Sequence, residues 1–101
     1  MTKAQDYFLE VGAEFPESSA SQMFGKKCFK TQGKAFVCFF EDCMVFKLEG
    51  AEHADALSLA GAKLFDPSGK GRAMKAWVQV PFEHVDQWRR LAAASHGLFN
   101  P

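Results

Sequence analysis

No stretch of this chain is long and apolar enough to span a bilayer, and its first ten residues, MTKAQDYFLE, lack the apolar centre of a secretory signal. Neither sign of charge predominates. Twelve Lys and Arg face twelve Asp and Glu, so the net charge is zero and nothing global draws the chain to nucleic acid or to an anionic membrane. Cysteine is scarce and unpaired: Cys28, Cys38 and Cys43 form an odd set with no CxxC spacing, which argues against a disulfide framework. These absences predict a cytoplasmic protein with buried structural thiols and no membrane association. Tyrosine occurs once, but phenylalanine occurs eleven times, which predicts a core built on rings, some of them at an interface.

At 101 residues and 11.2 kDa the chain fits one domain, residues 1–101, and it holds no internal repeat, low-complexity tract or linker. With 48% hydrophobic and 24% charged residues it is far from the composition of a disordered segment. From Lys3 to Phe15 the apolar residues Ala4, Tyr7, Phe8, Val11 and Phe15 recur at helical spacing, interrupted by Gly12. Pro16 and the Ser-rich stretch Ser18 to Ser21 end that helix. Three strands are predicted next, Met23 to Lys30, Ala35 to Phe40 and Cys43 to Leu48. The breaks between them, Thr31-Gln32-Gly33-Lys34 and Glu41-Asp42, have hairpin length and turn chemistry. A short helix over Ala51 to Ala60 stops at Gly61, and strands follow at Lys63 to Phe65 and Ala73 to Val80. Pro81 opens a last helix, whose Val85, Trp88, Leu91, Ala92 and Ser95 share one face. The prediction is therefore an α+β domain of two layers, order α-β-β-β-α-β-β-α, with an antiparallel sheet packed against helices.

Two blocks carry a family likeness. Met23 to Leu48, MFGKKCFKTQGKAFVCFFEDCMVFKL, has a Met-Phe-Gly start, a Gly-Lys hairpin turn with Phe36 behind it, and a Lys-Leu strand end. Gly69 to Pro81, GKGRAMKAWVQVP, has a Gly-Lys loop, a Met-centred strand and a closing Pro before the last helix. In this order and spacing they resemble the N-terminal domain of TfoX proteins and the neighbouring MmcQ/YjbR proteins, over nearly the whole chain. The resemblance implies an antiparallel two-layer fold, a regulatory rather than catalytic role and no cofactor. Through TfoX proteins with a second domain it links the group to transcriptional control of competence. Through MmcQ/YjbR proteins it suggests DNA binding.

Charge is unevenly spread. Met23 to Phe40 holds Lys26, Lys27, Lys30 and Lys34 with no acid, and Pro67 to Val80 holds Lys70, Arg72 and Lys75, again with none. If these segments meet, Lys26, Lys30, Lys34, Lys70, Arg72 and Lys75 make a basic patch for an anionic partner, with Trp77 as a stacking ring. Trp77 alternates with Lys75 and Gln79, which predicts partial exposure. Lys26 and Lys27 fall on opposite faces of a regular strand unless Gly25 introduces a bulge. Lysine stems lying over neighbouring rings, with their ammonium groups in water, are the simpler explanation of these cations.

With regular hairpins, one sheet face carries Lys26, Cys28, Lys30, Val37, Phe39, Met44, Phe46 and Leu48. The other carries Met23, Lys27, Phe29, Phe36, Cys38, Phe40, Val45 and Lys47. Both are apolar at the centre and both need a cover, which predicts a homodimer. Catalytic, cofactor and metal sites are not predicted. His53, His84 and His96 have no ligand spacing to one another or to the cysteines, and Glu41-Asp42 reads as a solvated turn. Two functions remain: a non-catalytic regulatory or protein-interaction domain, and a nucleic-acid-binding protein using the basic patch.

Overall fold

Ala4, Phe8 and Val11 fall on one side of a helix because they recur at three- and four-residue steps, and all three are buried along α1 (Lys3–Ala13). The computed structural model describes residues 3–23, 25–66, 71 and 73–100. After α1 come β1 (Ser19–Met23), β2 (Lys26–Thr31), β3 (Lys34–Phe40) and β4 (Cys43–Lys47), then α2 (Gly50–Leu57), β5 (Lys63–Phe65), β6 (Met74–Pro81) and, past a short 3-10 turn, α3 (Val85–Phe99). The strands form one antiparallel sheet in the order β1-β2-β3-β4-β6-β5. The α+β class and the antiparallel sheet are as expected, with one strand more than the sequence predicts. β1 reads SASQM, too polar to show an apolar alternation, and it is held at the sheet edge by its pairing with β2.

The two short turns are the hairpins their residues call for. Gln32 and Gly33 take φ of 53° and 75°, and Glu41 and Asp42 take 49° and 61°, the left-handed pairs that suit two-residue connections. Gly25, with φ 74°, lies between the paired residues Met23 and Lys26 and so belongs to a chain reversal, not to a bulge within a strand. Lys26 and Lys27 consequently sit on opposite faces.

A bulge does occur, one hairpin later. Cys28 pairs with Cys38 and Phe29 with Val37, but Lys30 pairs with Ala35, so Phe36 is an extra residue in β3. This corrects the face assignment drawn from regular hairpins. Cys28 lies with Cys38 rather than with Val37, Phe29 joins Val37, and Phe36 joins the helix side as well. The sheet row facing the helices runs Ala20, Phe29, Val37, Phe46, Val78 and Leu64 by cross-strand pairing. Against it lie Phe8 of α1, Ala56 of α2, and Trp88, Leu91 and Ala92 of α3. All three helices therefore cover the same face.

The bulge has a support on α3. Ser95 is fully buried, and its hydroxyl donates to the carbonyl of Phe36 at 2.6 Å. Leaving that buried acceptor without its donor costs about 1–2 kcal/mol. Ser95→Ala is expected to lower stability by that amount in urea unfolding, with an unchanged slope against denaturant.

Candidate interaction face

None of the described helices lies on the other face of the sheet. Its central row runs Ser21, Cys28, Cys38, Val45, Gln79 and Lys63, read across the strands by pairing. A second, smaller core forms here from Cys28, Cys38, Val45, Phe65 and Trp77, with Ala35, Phe40, Met74 and Ala76 partly buried against it. No helix residue takes part. Phe40 stands on β3 and Phe65 on β5, with β4 and β6 between them, yet their rings are 5.4 Å apart in an edge-on contact. The sheet must curl toward this face for the two to meet. Large side chains from both flanks thereby close over Cys38 and Val45, which are fully buried.

Lys26 keeps its ammonium 5.1 Å above the Phe40 ring, a cation-π contact on the helix-free face, and Lys30 shares that face beside Cys28. Both are half-buried. Lys34 pairs with Thr31, whose hydroxyl accepts from Asn100 at the end of α3, so Lys34 is on the helix side of its hairpin. Lys75 is exposed, and its backbone carbonyl accepts a hydrogen bond from His53 Nε2 at 2.8 Å. Lys70 and Arg72 lie outside the described residues. Trp77 corrects the expectation of a partly exposed stacking ring: it is only 7% exposed, because the curled sheet encloses it with Phe65 and Val45. Of the described candidates, Lys26 and Lys30 share the helix-free face and Lys34 lies on the other.

One cation was missed. Lys63 pairs with Gln79 and stands exposed on the same face as Lys26 and Lys30. The alternation of Lys63 and Phe65 carries a signal for it, once β5 is placed beside β6. More generally, Lys26, Lys27, Lys30, Lys34, Lys47, Lys63 and Lys75 all lie on strands, whereas no described strand carries an Asp or Glu. The helices carry Asp6, Glu10, Glu52, Asp55 and Asp86 beside Lys3, Arg89 and Arg90. In a chain of zero net charge the described strands thus carry charge of one sign, while the described helices mix both. Lys47 leans away from the rest, its ammonium 5.2 Å from the Phe99 ring of α3.

The three histidines have structural engagements. His84 Nε2 donates to the Ala60 carbonyl at 2.7 Å, His53 is held as described, and His96 stacks on Phe15 at 5.0 Å. Glu41 and Asp42 are exposed in their turn. Among the described residues no group of three or more His, Cys, Asp or Glu is placed to hold a metal ion. No described helix is long and apolar enough to cross a membrane. A surface hollow beside α2 is bordered by Ala51, Glu52, Asp55 and Arg90, the last two paired at 3.2 Å.

Burial acts on the thiols. It pushes Cys38 up to about 12, with Cys28 adding to the effect while the Phe39 carbonyl contact and Lys26 oppose it. Burial also raises Cys28, against the pull of Lys30, and raises Cys43, against a hydrogen bond from Gln79. A group whose folded pKa is raised holds its proton longer in the folded state than in the unfolded chain. Its stabilising effect is full below the ordinary value of 9.0 and is lost as pH climbs from there toward about 12. Urea midpoints are expected to be level from pH 7 to 8 and to fall between pH 9 and 11, and Cys38→Ala is expected to flatten that fall.

Comparison with models of known families, with curated proteins and with solved structures finds no match to this chain.

Proposed function

We propose that this chain is a non-catalytic regulatory or protein-interaction domain that works through the helix-free face of its sheet. The observation that carries this reading is the composition of that face. Phe40, Met74 and Ala76 are half-buried there around a small apolar core, and Lys26, Lys30 and Lys63 border it without an acid on any described strand. An apolar centre with a charged rim is the general build of a docking surface. The resemblance of Met23 to Leu48 and Gly69 to Pro81 to the TfoX N-terminal domain supports a regulatory role on sequence grounds. A second copy of the chain belongs to the same proposal, as cover for this face. Light scattering at micromolar concentration tests it: a dimeric mass is expected, and Met74→Glu, which places a charge in the apolar centre, is expected to return the monomer. A strictly monomeric wild-type mass removes the homodimer.

Nucleic-acid binding is the second reading, favoured by the absence of acidic residues from the described strands. Burial of Trp77 takes away its base-stacking ring. Anisotropy of short labelled DNA and RNA at low and moderate salt separates the two readings. Binding that weakens steeply with salt supports the second, and no binding at low salt removes it.

A further inference from the structure

We propose that Cys28 and Cys38 form an oxidisable cross-strand dithiol, which a hydroperoxide converts into an intrachain disulfide. The two residues are direct partners in the antiparallel pairing of β2 with β3. Opposed residues of such a pair have α-carbons about 4.5–5.5 Å apart, inside the roughly 4.4–6.8 Å that disulfides span. Both side chains lie on the helix-free face, in one buried cluster. The bulge at Phe36 begins one pair further along, and bulges sharpen the local twist of a strand pair.

Neither sulfur is committed elsewhere in a strong bond. Cys38 Sγ makes one long contact, 3.8 Å, to the carbonyl of Phe39. Cys43 is different: it pairs with Phe40, and its sulfur accepts a hydrogen bond from Gln79 at 3.5 Å. The cover above the pair consists of side chains, Phe40, Phe65 and Trp77 among them, and no helix takes part in that cluster. A small peroxide therefore reaches the sulfurs through side-chain motion, without separation of the two main layers.

The chemistry balances with a hydroperoxide as the oxidant. One cysteine, drawn from the small thiolate fraction that burial leaves to either residue, attacks a peroxide oxygen and breaks the O–O bond, leaving a sulfenic acid and releasing water. The second cysteine attacks the sulfenic sulfur, the S–S bond forms, and the sulfenic oxygen departs as a second water. Two thiols and one hydrogen peroxide thus give one disulfide and two waters. The product staples β2 to β3 in the floor of the helix-free face, whatever docks on that face.

The test treats the folded full-length protein with hydrogen peroxide, removes the oxidant, denatures, alkylates free thiols and maps the peptides by mass. A product two hydrogen masses lighter is expected, with one alkylated cysteine, Cys43, in place of three, and with the Cys28 and Cys38 peptides linked until reduced. Cys43→Ser is expected to give the same link, whereas Cys38→Ala is expected to lose it. Three alkylated cysteines after prolonged treatment, sulfinic acids in place of the link, or a link through Cys43 overturns the proposal. The wild-type peptide map decides the matter even if Cys38→Ala fails to fold.

Discussion

Replacing Trp88 by alanine is expected to cost about 3–5 kcal/mol, the usual range for removing a large ring from a packed core. A domain of this size is stable by about 5–15 kcal/mol, so the variant is expected to sit near its unfolding threshold at 37 °C. Trp88 is fully buried on α3, with Tyr7 of α1 edge-on at 6.0 Å and Phe82 edge-on at 5.6 Å. It thus packs α3 against α1 and against the 3-10 turn that precedes it. Its indole N–H finds no hydrogen-bond acceptor among the described residues. A buried donor left unpaired is itself destabilising, and that gives the phenylalanine variant a different outcome. Trp88→Phe keeps one ring against Tyr7 and Phe82 and removes the unpaired donor, so its net loss is expected to be only about 1 kcal/mol. Urea unfolding followed by far-ultraviolet circular dichroism measures both. Equal losses for the two variants would mean that the indole N–H is satisfied after all and that its bond carries most of the shared loss.

Much of the architecture was readable because it is local. Gln32-Gly33 and Glu41-Asp42 announce their hairpins in residue type alone, and the backbone takes the left-handed values those turns require. The separation of Lys26 from Lys27 follows from the two-residue period of a strand. What escaped the sequence depends on partners far along the chain. Regular hairpins place the faces of β2 the wrong way round because the bulge at Phe36 is supported by Ser95, 59 residues later. Trp77 is buried because Phe65 and Phe40 converge over a curled sheet, and no alternation within β6 reports that curl. Lys63 joins Lys26 and Lys30 only through the row that crosses Val45 and Gln79. Runs of lysine along the chain suggest one patch, whereas the face that carries Lys26, Lys30 and Lys63 is assembled across the strands.

Gly12 shows the same lesson with a sign that can be measured. In an exposed helix interior, glycine to alanine gains about 0.5–1 kcal/mol, because glycine has more backbone freedom to lose on folding. Here the opposite is expected: Gly12→Ala should lose about 2–3 kcal/mol, the upper part of the range for overpacking a core. A β-carbon at this position would stand 2.1 Å from two carbons of the Phe29 ring and 2.6 Å from a third. The ring has little room to yield, being 5% exposed and packed at 5.3 Å against Phe8. The helix is also held in place. Ser18 donates to the Gly12 carbonyl at 2.8 Å, and Arg89 of α3 makes two contacts of 2.7 and 2.6 Å to the Glu14 carboxylate just beyond the helix end. Glycine at this point is what allows α1 to lie directly on β2. A double-mutant cycle with Phe29→Leu isolates the contact, because the smaller side chain vacates the ring's space. Gly12→Ala is expected to cost at least 1 kcal/mol less in the Phe29→Leu background than in the wild type. A neutral or stabilising Gly12→Ala would show instead that helix propensity outweighs the close approach.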